Sequence, residues 1–505
     1  MESSSCFTEG WVRNPRKDLL AEVRKQRPIA LPLIVMNLTW FAKIAITTAF
    51  LGRLGGLQLA GGTLAFTFAN VTGFSVLAGL CGAMEPICGQ AYGAGNCKLL
   101  HKTLLMATLL LLLATLPISL LWFYIDKILM TFGLQEDISA VAKSYAMYLL
   151  PDLAVTSFLC PLKAYLSSQS ITVPIMFSSA LALGFHVPIN SLLCKAKALE
   201  GVAMAVWITD LFVVILLGNY VWVMERREGK KRWNEGGWWD QGLKDWAQLL
   251  KLCGPCCLTT CLEWWCYEIM VLLAGHMTDP NRAVSILAIV LNFDYLLYSV
   301  MLSLATTVSI RVSNELGANR MWVARRSAYL SLGGSILAGF IGGAVMVAAR
   351  REWAGLYSHD EGIIRGVKKT MLLMALVEVI NFPLAVSGGI VRGTARPCLA
   401  MYANLGGFYL LALPLAVVLA FWKKLGLGGL LLGFLAGMII SAVLLIVMVS
   451  RIDWVEEAGK AQKLASASHN VNGDAELKIV ANDQDNNNKE ESLECTTITP
   501  SIFLL

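Results

Sequence analysis

Four ionisable side chains lie inside runs that are otherwise almost wholly apolar: Glu263 in CLEWWCYE, Asp294 in LNFDYLLYS, Glu378 in LVEVINFPLAVSGG and Lys43 in NLTWFAKIAI. An ionised side chain at the centre of a hydrocarbon layer costs roughly 2.5 to 3.5 kcal/mol even on lenient scales, so each must face a cavity or a partner. A carboxyl group in such a place is suited to taking up a proton on one side of a barrier and releasing it on the other. Glu263 is the first candidate, because it lies near the middle of its run and is flanked by Trp264 and Trp265. A purely structural ion pair is the competing reading. Glu268 is five residues further on, roughly 140° around a helix, so the two can hardly face one cavity and Glu268 takes a supporting role. Glu378 and Asp294 belong to the same half of the chain as Glu263 and could titrate with it as a coupled set. Asn37, Trp264, Tyr267, Asn381, Tyr402 and Asn404 are candidate cavity neighbours, whereas Asp152 and Asp210 read as structural.

Cysteine offers a second chemistry, and the pattern argues against it. Five of the thirteen cysteines fall at 253, 256, 257, 261 and 266. Cys253, Cys257 and Cys261 recur every four residues, which is one face of a helix, and small polarizable residues on a helix face suit a packing contact. A redox enzyme would need a converging nucleophile and base, yet the five histidines are scattered. No metal and no cofactor is expected.

The elements that position these residues are set by the solvent. Of the 505 residues 56% are hydrophobic and 15% charged, a balance that calls for a lipid environment. About 20 apolar residues are needed to cross a bilayer, and twelve windows qualify: 29–51, 59–83, 103–125, 144–167, 171–194, 200–224, 248–275, 283–308, 327–349, 364–388, 397–421 and 426–450. The polar, Arg- and Lys-rich first 28 residues carry no cleavable signal peptide and should remain cytoplasmic. The net charge of +6 then reads as a topology signal, with no need of a nucleic-acid partner. The chain divides into a cytoplasmic segment 1–28, a first lobe 29–224, a linker 225–247, a second lobe 248–450 and a tail 451–505 expected to be disordered. Trp233, Trp238 and Trp239 in the linker suggest an amphipathic stretch at the headgroups.

The two lobes repeat. MEPICGQAYGAGN ends the second span, and RVSNELGANR ends the eighth 224 residues later; Pro32 is matched by Pro255 and Gly52 by Gly275. Six spans per repeat leave both copies in one orientation, so the predicted fold is an all-α membrane protein of two six-helix bundles related by a parallel pseudo-twofold axis. Such folds place their sites between the lobes near the midplane. Glu85-Pro86 should stop the second span, because proline removes a donor and disfavours helix before it. Gly93 and Gly317 would then form paired hinges at the inner mouth, or simply two tight turns.

MEPICGQAYGAGN, RVSNELGANR, CLEWWCYE and GGIVRGTARP resemble the multidrug and toxic compound extrusion (MATE) family, and within it the plant branch. The resemblance covers about residues 29–450. It implies alternating access and efflux of small organic solutes driven by inward proton flow. Glu263 lines up with the branch's proton-linked glutamate, and Glu378 stands in the helix where the family places a second acid, often aspartate. Bacterial relatives have an aspartate in the first helix; this chain has Asn37, so coupling is placed in the second half. Lys43 could attract an anionic substrate, neutralise Glu263 from across the cleft, or reach the outer headgroups. Plant relatives export organic cations, alkaloids, flavonoids, citrate and abscisic acid, and Lys43 tilts the expectation toward a small carboxylate or a hormone such as abscisic acid. A lipid flippase of related build is the alternative. Proton uptake would let the seventh helix bend at Pro255. The chain is expected to work as a monomer in the plasma membrane, with endosomal or vacuolar membranes as alternatives.

Overall fold

A computed structural model of the chain describes residues 15–227, 238 and 241–464, and among them the regular structure is helical throughout. Lipid cannot satisfy backbone N–H and C=O groups, so apolar runs of this length must close their own hydrogen bonds as helices. The spanning helices are α1 (Pro15–Leu54), α2 (Gly56–Gly93), α3 (Cys97–Phe123), α4 (Glu136–Leu149 and Pro151–Ser168, bent by 48°), α5 (173–197), α6 (199–227), α7 (Leu243–Ala274), α8 (Pro280–Gly317), α9 (Met321–Tyr357), α10 (Glu361–Gly393), α11 (Pro397–Trp422) and α12 (Gly426–Ser450). α5 and α6 meet at Ala198, whose φ of 50° and ψ of −121° break the helix. All twelve expected spans are present.

Three expectations are corrected. The second span does not stop at Glu85-Pro86: the chain turns at Gly82-Ala83, restarts at Met84 and runs on to Gly93. Pro86 falls in the first turn of that restart, where a missing N–H costs nothing. The reversal comes later, at Gly95 (φ +73°), and Asn96 caps α3 by accepting a hydrogen bond from Leu99 N at 2.9 Å. Its counterpart after α8 uses Asn319 (φ +58°). Residues 15–28 are not a separate segment but the first turns of α1, with Glu22 buried against α8 and α9. The tail does not lose structure at Arg451 either: 454–464 form a helix, α13. It buries Trp454, Glu457, Ala458 and Ala461, a stripe at helical spacing. Glu457 pairs with Arg396, and Gln462 donates to the Gly317 carbonyl at 2.6 Å. Of the linker tryptophans, Trp238 stacks on His101 at 4.5 Å; Trp233 and Trp239 lie outside the described residues, as does the tail beyond 464.

Two large apolar cores form, with a small third cluster of Ile29 and Leu33 of α1 against Ile310 of α8. One draws on α1 to α6, the other on α8 to α13, and α7 is divided between them: Leu249, Cys253 and Cys256 join the first core, Cys266, Met270 and Ala274 the second. Pro32 and Pro255 lie within helices that continue through them.

The cores are sewn together at one end. Gln90 Nε2 donates to the Gly393 carbonyl at 3.4 Å, Arg311 Nε reaches Glu22 at 3.3 Å, and Gln26 donates to Ser331 at 2.7 Å. Gly93 lies against the backbone of Asn314 and Ala318, and Gly317 against the backbone of Gln90. These two contacts are mirror copies, since residues 90 and 93 correspond to 314 and 317 in the repeat. Further along, Cys253 and Cys257 lie against the Leu80 and Val76 carbonyls and Trp265 Nε1 donates to Val71 O at 3.0 Å. The cysteine stripe is thus a packing face. Higher on α1, Phe41 stacks on Tyr295 at 5.4 Å. Beyond this level the hydrogen bonds of α1 stay within its own lobe, as with Thr47 and His186 at 3.1 Å.

Candidate functional site

A small pocket, partly open to the exterior, lies within the second lobe among α7, α8, α10, α11 and α12, and Gly82 of α2 is the one residue of its lining that comes from the first lobe. Its polar lining comprises Thr259, Thr260, Glu263, Tyr298, Asn381, Arg392 and Asn404. Met301, Leu302, Ala305 and Leu384 make an apolar wall.

α7 is held at this level from both sides. Asn70–Phe74 of α2 and Leu405–Ala412 of α11 are π-helical, a widening that recurs at functional sites. The first accepts the Trp265 indole N–H at Val71 O, and the second donates the Tyr409 hydroxyl to Leu262 O at 3.0 Å. Glu263 sits between these two anchors and faces the pocket. Its carboxylate makes no hydrogen bond or ion pair among the described residues, and the charge of Arg392 acts on it across the pocket.

Arg392 is the cation of this pocket. Its Nε lies 2.8 Å from Glu85 Oε2, joining α10 to α2 across the lobes. Asp294 and Glu378 are both buried in this lobe and close enough for each to feel the other's charge, yet neither Glu378 oxygen has a hydrogen-bond partner among the described residues.

The predicted site residues fall into three groups. Glu263, Asn381 and Asn404 line the pocket. Trp264 and Tyr267 pack just outside it: Trp264 donates to the Tyr298 hydroxyl at 3.1 Å and Tyr267 meets the Phe434 ring edge-on at 5.1 Å. Tyr402 is 59% exposed and is not among the residues that line this pocket. Asn37 donates to Ser303 Oγ at 2.9 Å and serves the lobe contact. Lys43 is the main correction. It does not reach Glu263: its Nζ bonds both oxygens of Asp210, at 2.7 and 2.6 Å, inside the first lobe. Desolvating either ion alone is costly, which makes the pair close. Glu268 does not line the pocket, as its angular offset from Glu263 requires.

Arg392 and Glu85 were missed as a pair. Arg392 stands in GGIVRGTARP, where a cation at the end of a span looks like a headgroup contact. The signal available was an acid, Glu85, at the matching end of another span.

The sequence model of the MatE family matches residues 32–192 and again 255–418, so the two matches begin at Pro32 and Pro255. Protein DETOXIFICATION 56 of Arabidopsis thaliana is 61% identical over 89% of this chain and 91% of its own length. Protein DETOXIFICATION 51 of the same plant is 38% identical over 92% of this chain and 87% of its own. Among solved structures, the eukaryotic MATE transporter AtDTX14 superposes with a TM-score of 0.82 at 30% identity, covering 89% of this chain and all (100%) of that one. A mutant form of the Vibrio cholerae MATE transporter VcmN gives 0.76 at 16% identity, covering 87% of this chain and 99% of that one, and shares the fold.

Proposed function

The chain belongs to the MATE family of multi-pass membrane transporters, and from that premise we propose that it is a proton-coupled antiporter exporting small organic solutes by alternating access. The observation that carries this reading is Glu263: a carboxylate without a direct partner among the described residues, in a pocket of the second lobe that reaches Gly82 of the first, on the helix that both cores share.

In the proposed cycle the sewn end, where the Gly-Ala turns lie, faces the cytoplasm, and this state is closed on that side. A proton arriving from outside neutralises Glu263 and removes its attraction to Arg392. α7 then bends at Pro255, the pocket repacks and the solute leaves outward. Proton loss to the cytoplasm resets the carboxylate. A potential of 100 mV contributes about 2.3 kcal/mol per charge crossing, so one proton supports appreciable accumulation. Asp294 and Glu378, the other buried acids of this lobe, act together as a second proton-binding unit beside Glu263.

The substrate is proposed to be an amphipathic carboxylate, with abscisic acid as the first compound to try, and the membrane to be the plasma membrane. The lobes are taken as 29–224 and 248–450, working as a monomer. The test is uptake of labelled abscisic acid, citrate and tetraethylammonium into proteoliposomes under an imposed pH gradient. Glu263→Gln should abolish proton-driven flux while thermal unfolding of the purified protein is unchanged. Full flux in that variant removes the centre of the mechanism, and no abscisic-acid signal above empty vesicles removes that substrate.

A further inference from the structure

The pocket holds one arginine between two carboxylates that come from different lobes. Glu263 belongs to the same lobe as Arg392, whereas Glu85 reaches it from α2 across the seam, 2.8 Å away. That contact is close but poorly aligned, for neither Arg392 Nε nor Glu85 Oε2 completes a hydrogen bond there. A guanidinium carries five N–H donors in a fixed fork that matches a carboxylate or sulfonate edge to edge, so Glu85 leaves much of it unused. Both side chains are largely buried, at 22% and 16% exposure.

Consider what happens when the sewn end opens. Glu85 withdraws with α2, because Gly93, Gln90 and Glu85 move as one helix end, and Arg392 remains on the pocket wall. A largely buried cation deprived of its partner is unfavourable, and the nearest replacement is an anionic group on an incoming solute. Beside the fork stand Met301, Leu302, Ala305 and Leu384 to receive an apolar body. When the end closes again, Glu85 returns as a competing carboxylate built into the protein.

We propose that Arg392 anchors the anionic group of the transported solute while the inner mouth is open, and that Glu85 displaces that group as the mouth closes. The substrate class is an amphipathic organic anion with a carboxylate or sulfonate head. Release is then driven partly by exchange of one carboxylate for another, and the anchor stays neutralised throughout. This inference rests on the alternating-access reading above.

The experiment uses full-length protein in lipid nanodiscs and two probes of nearly equal shape, naphthalene-2-carboxylate and the uncharged naphthalene-2-carboxamide, with equilibrium binding measured at neutral pH. The wild type should prefer the acid by about tenfold or more, the factor a charge-assisted hydrogen bond supplies. Arg392→Gln should bring the acid-to-amide ratio close to one, and Arg392→Lys should give an intermediate ratio because the fork is lost but the charge is kept. Glu85→Gln should raise the ratio several-fold, since the competitor is gone. Equal binding of the two probes by the wild type, including no binding of either, overturns the proposal, as does an unchanged ratio in Arg392→Gln; an unchanged ratio in Glu85→Gln overturns the displacement. Proton-driven flux measured on the same preparations separates the two readings: a wild-type preference for the acid without proton-driven flux sinks the antiporter and keeps the anchor, and the reverse pattern sinks the anchor alone.

Discussion

Replacing Gly93 or Gly317 with alanine tests whether the seam between the lobes is set by backbone contact. A Cβ built on Gly93 lies 2.9 Å from the Ala318 nitrogen and closer still to the Asn314 carbonyl oxygen; on Gly317 it lies 2.7 Å from Gln90 Cα and closer to the Gln90 carbonyl oxygen. Ordinary contact begins at about 3.5 Å, and the carbonyl oxygens are the limiting contacts, so the helices must part by more than about 1 Å. The obstacles are helix backbone, which cannot swing aside as a side chain would. Overpacking of this kind costs about 1 to 3 kcal/mol, charged only to the closed state because an open mouth separates these surfaces. That shifts the closed-to-open ratio about five- to 150-fold. Because both glycines guard one seam, the double variant should fall short of the sum of the two single effects. Hydrogen–deuterium exchange read on peptides covering 84–96 and 309–320 should accelerate in each single variant while peptides in the α4 core do not change. Wild-type exchange in both, with transport intact, refutes the claim that these contacts close the mouth.

Breaking the Lys43–Asp210 pair by Lys43→Met should lower stability by about 3 to 5 kcal/mol, because the remaining charge is buried without a partner, and Lys43→Met with Asp210→Leu should recover most of it; thermal unfolding in detergent reads both. A stable Lys43→Met with weakened substrate affinity would return Lys43 to the cavity. Trp454→Ala, at a side chain 5% exposed, should cost about 3 to 5 kcal/mol and release α13, seen as trypsin cleavage at Lys460 and Lys463; resistance equal to wild type would mean α13 holds without its anchor.

Much of this protein was legible in the chain itself. A bilayer admits only helices whose backbones are satisfied internally, so apolar length alone fixes twelve spans, and two copies of one motif fix the repeat. Glu263 was legible for the same reason: a carboxyl midway along such a span must face a cavity or a partner. Pairings were not legible. Lys43 with Asp210 and Glu85 with Arg392 join residues far apart in sequence, and which ions meet depends on how helices rotate and pack. The helix restart that carries α2 past Glu85-Pro86 is likewise decided by contact with α8, since the local signal at Glu-Pro argues for a stop. α13 escaped because a helix of only eleven residues, nearly half of them polar or charged, is marginal alone; its stability comes from burying Trp454 and two alanines on a core assembled by other helices.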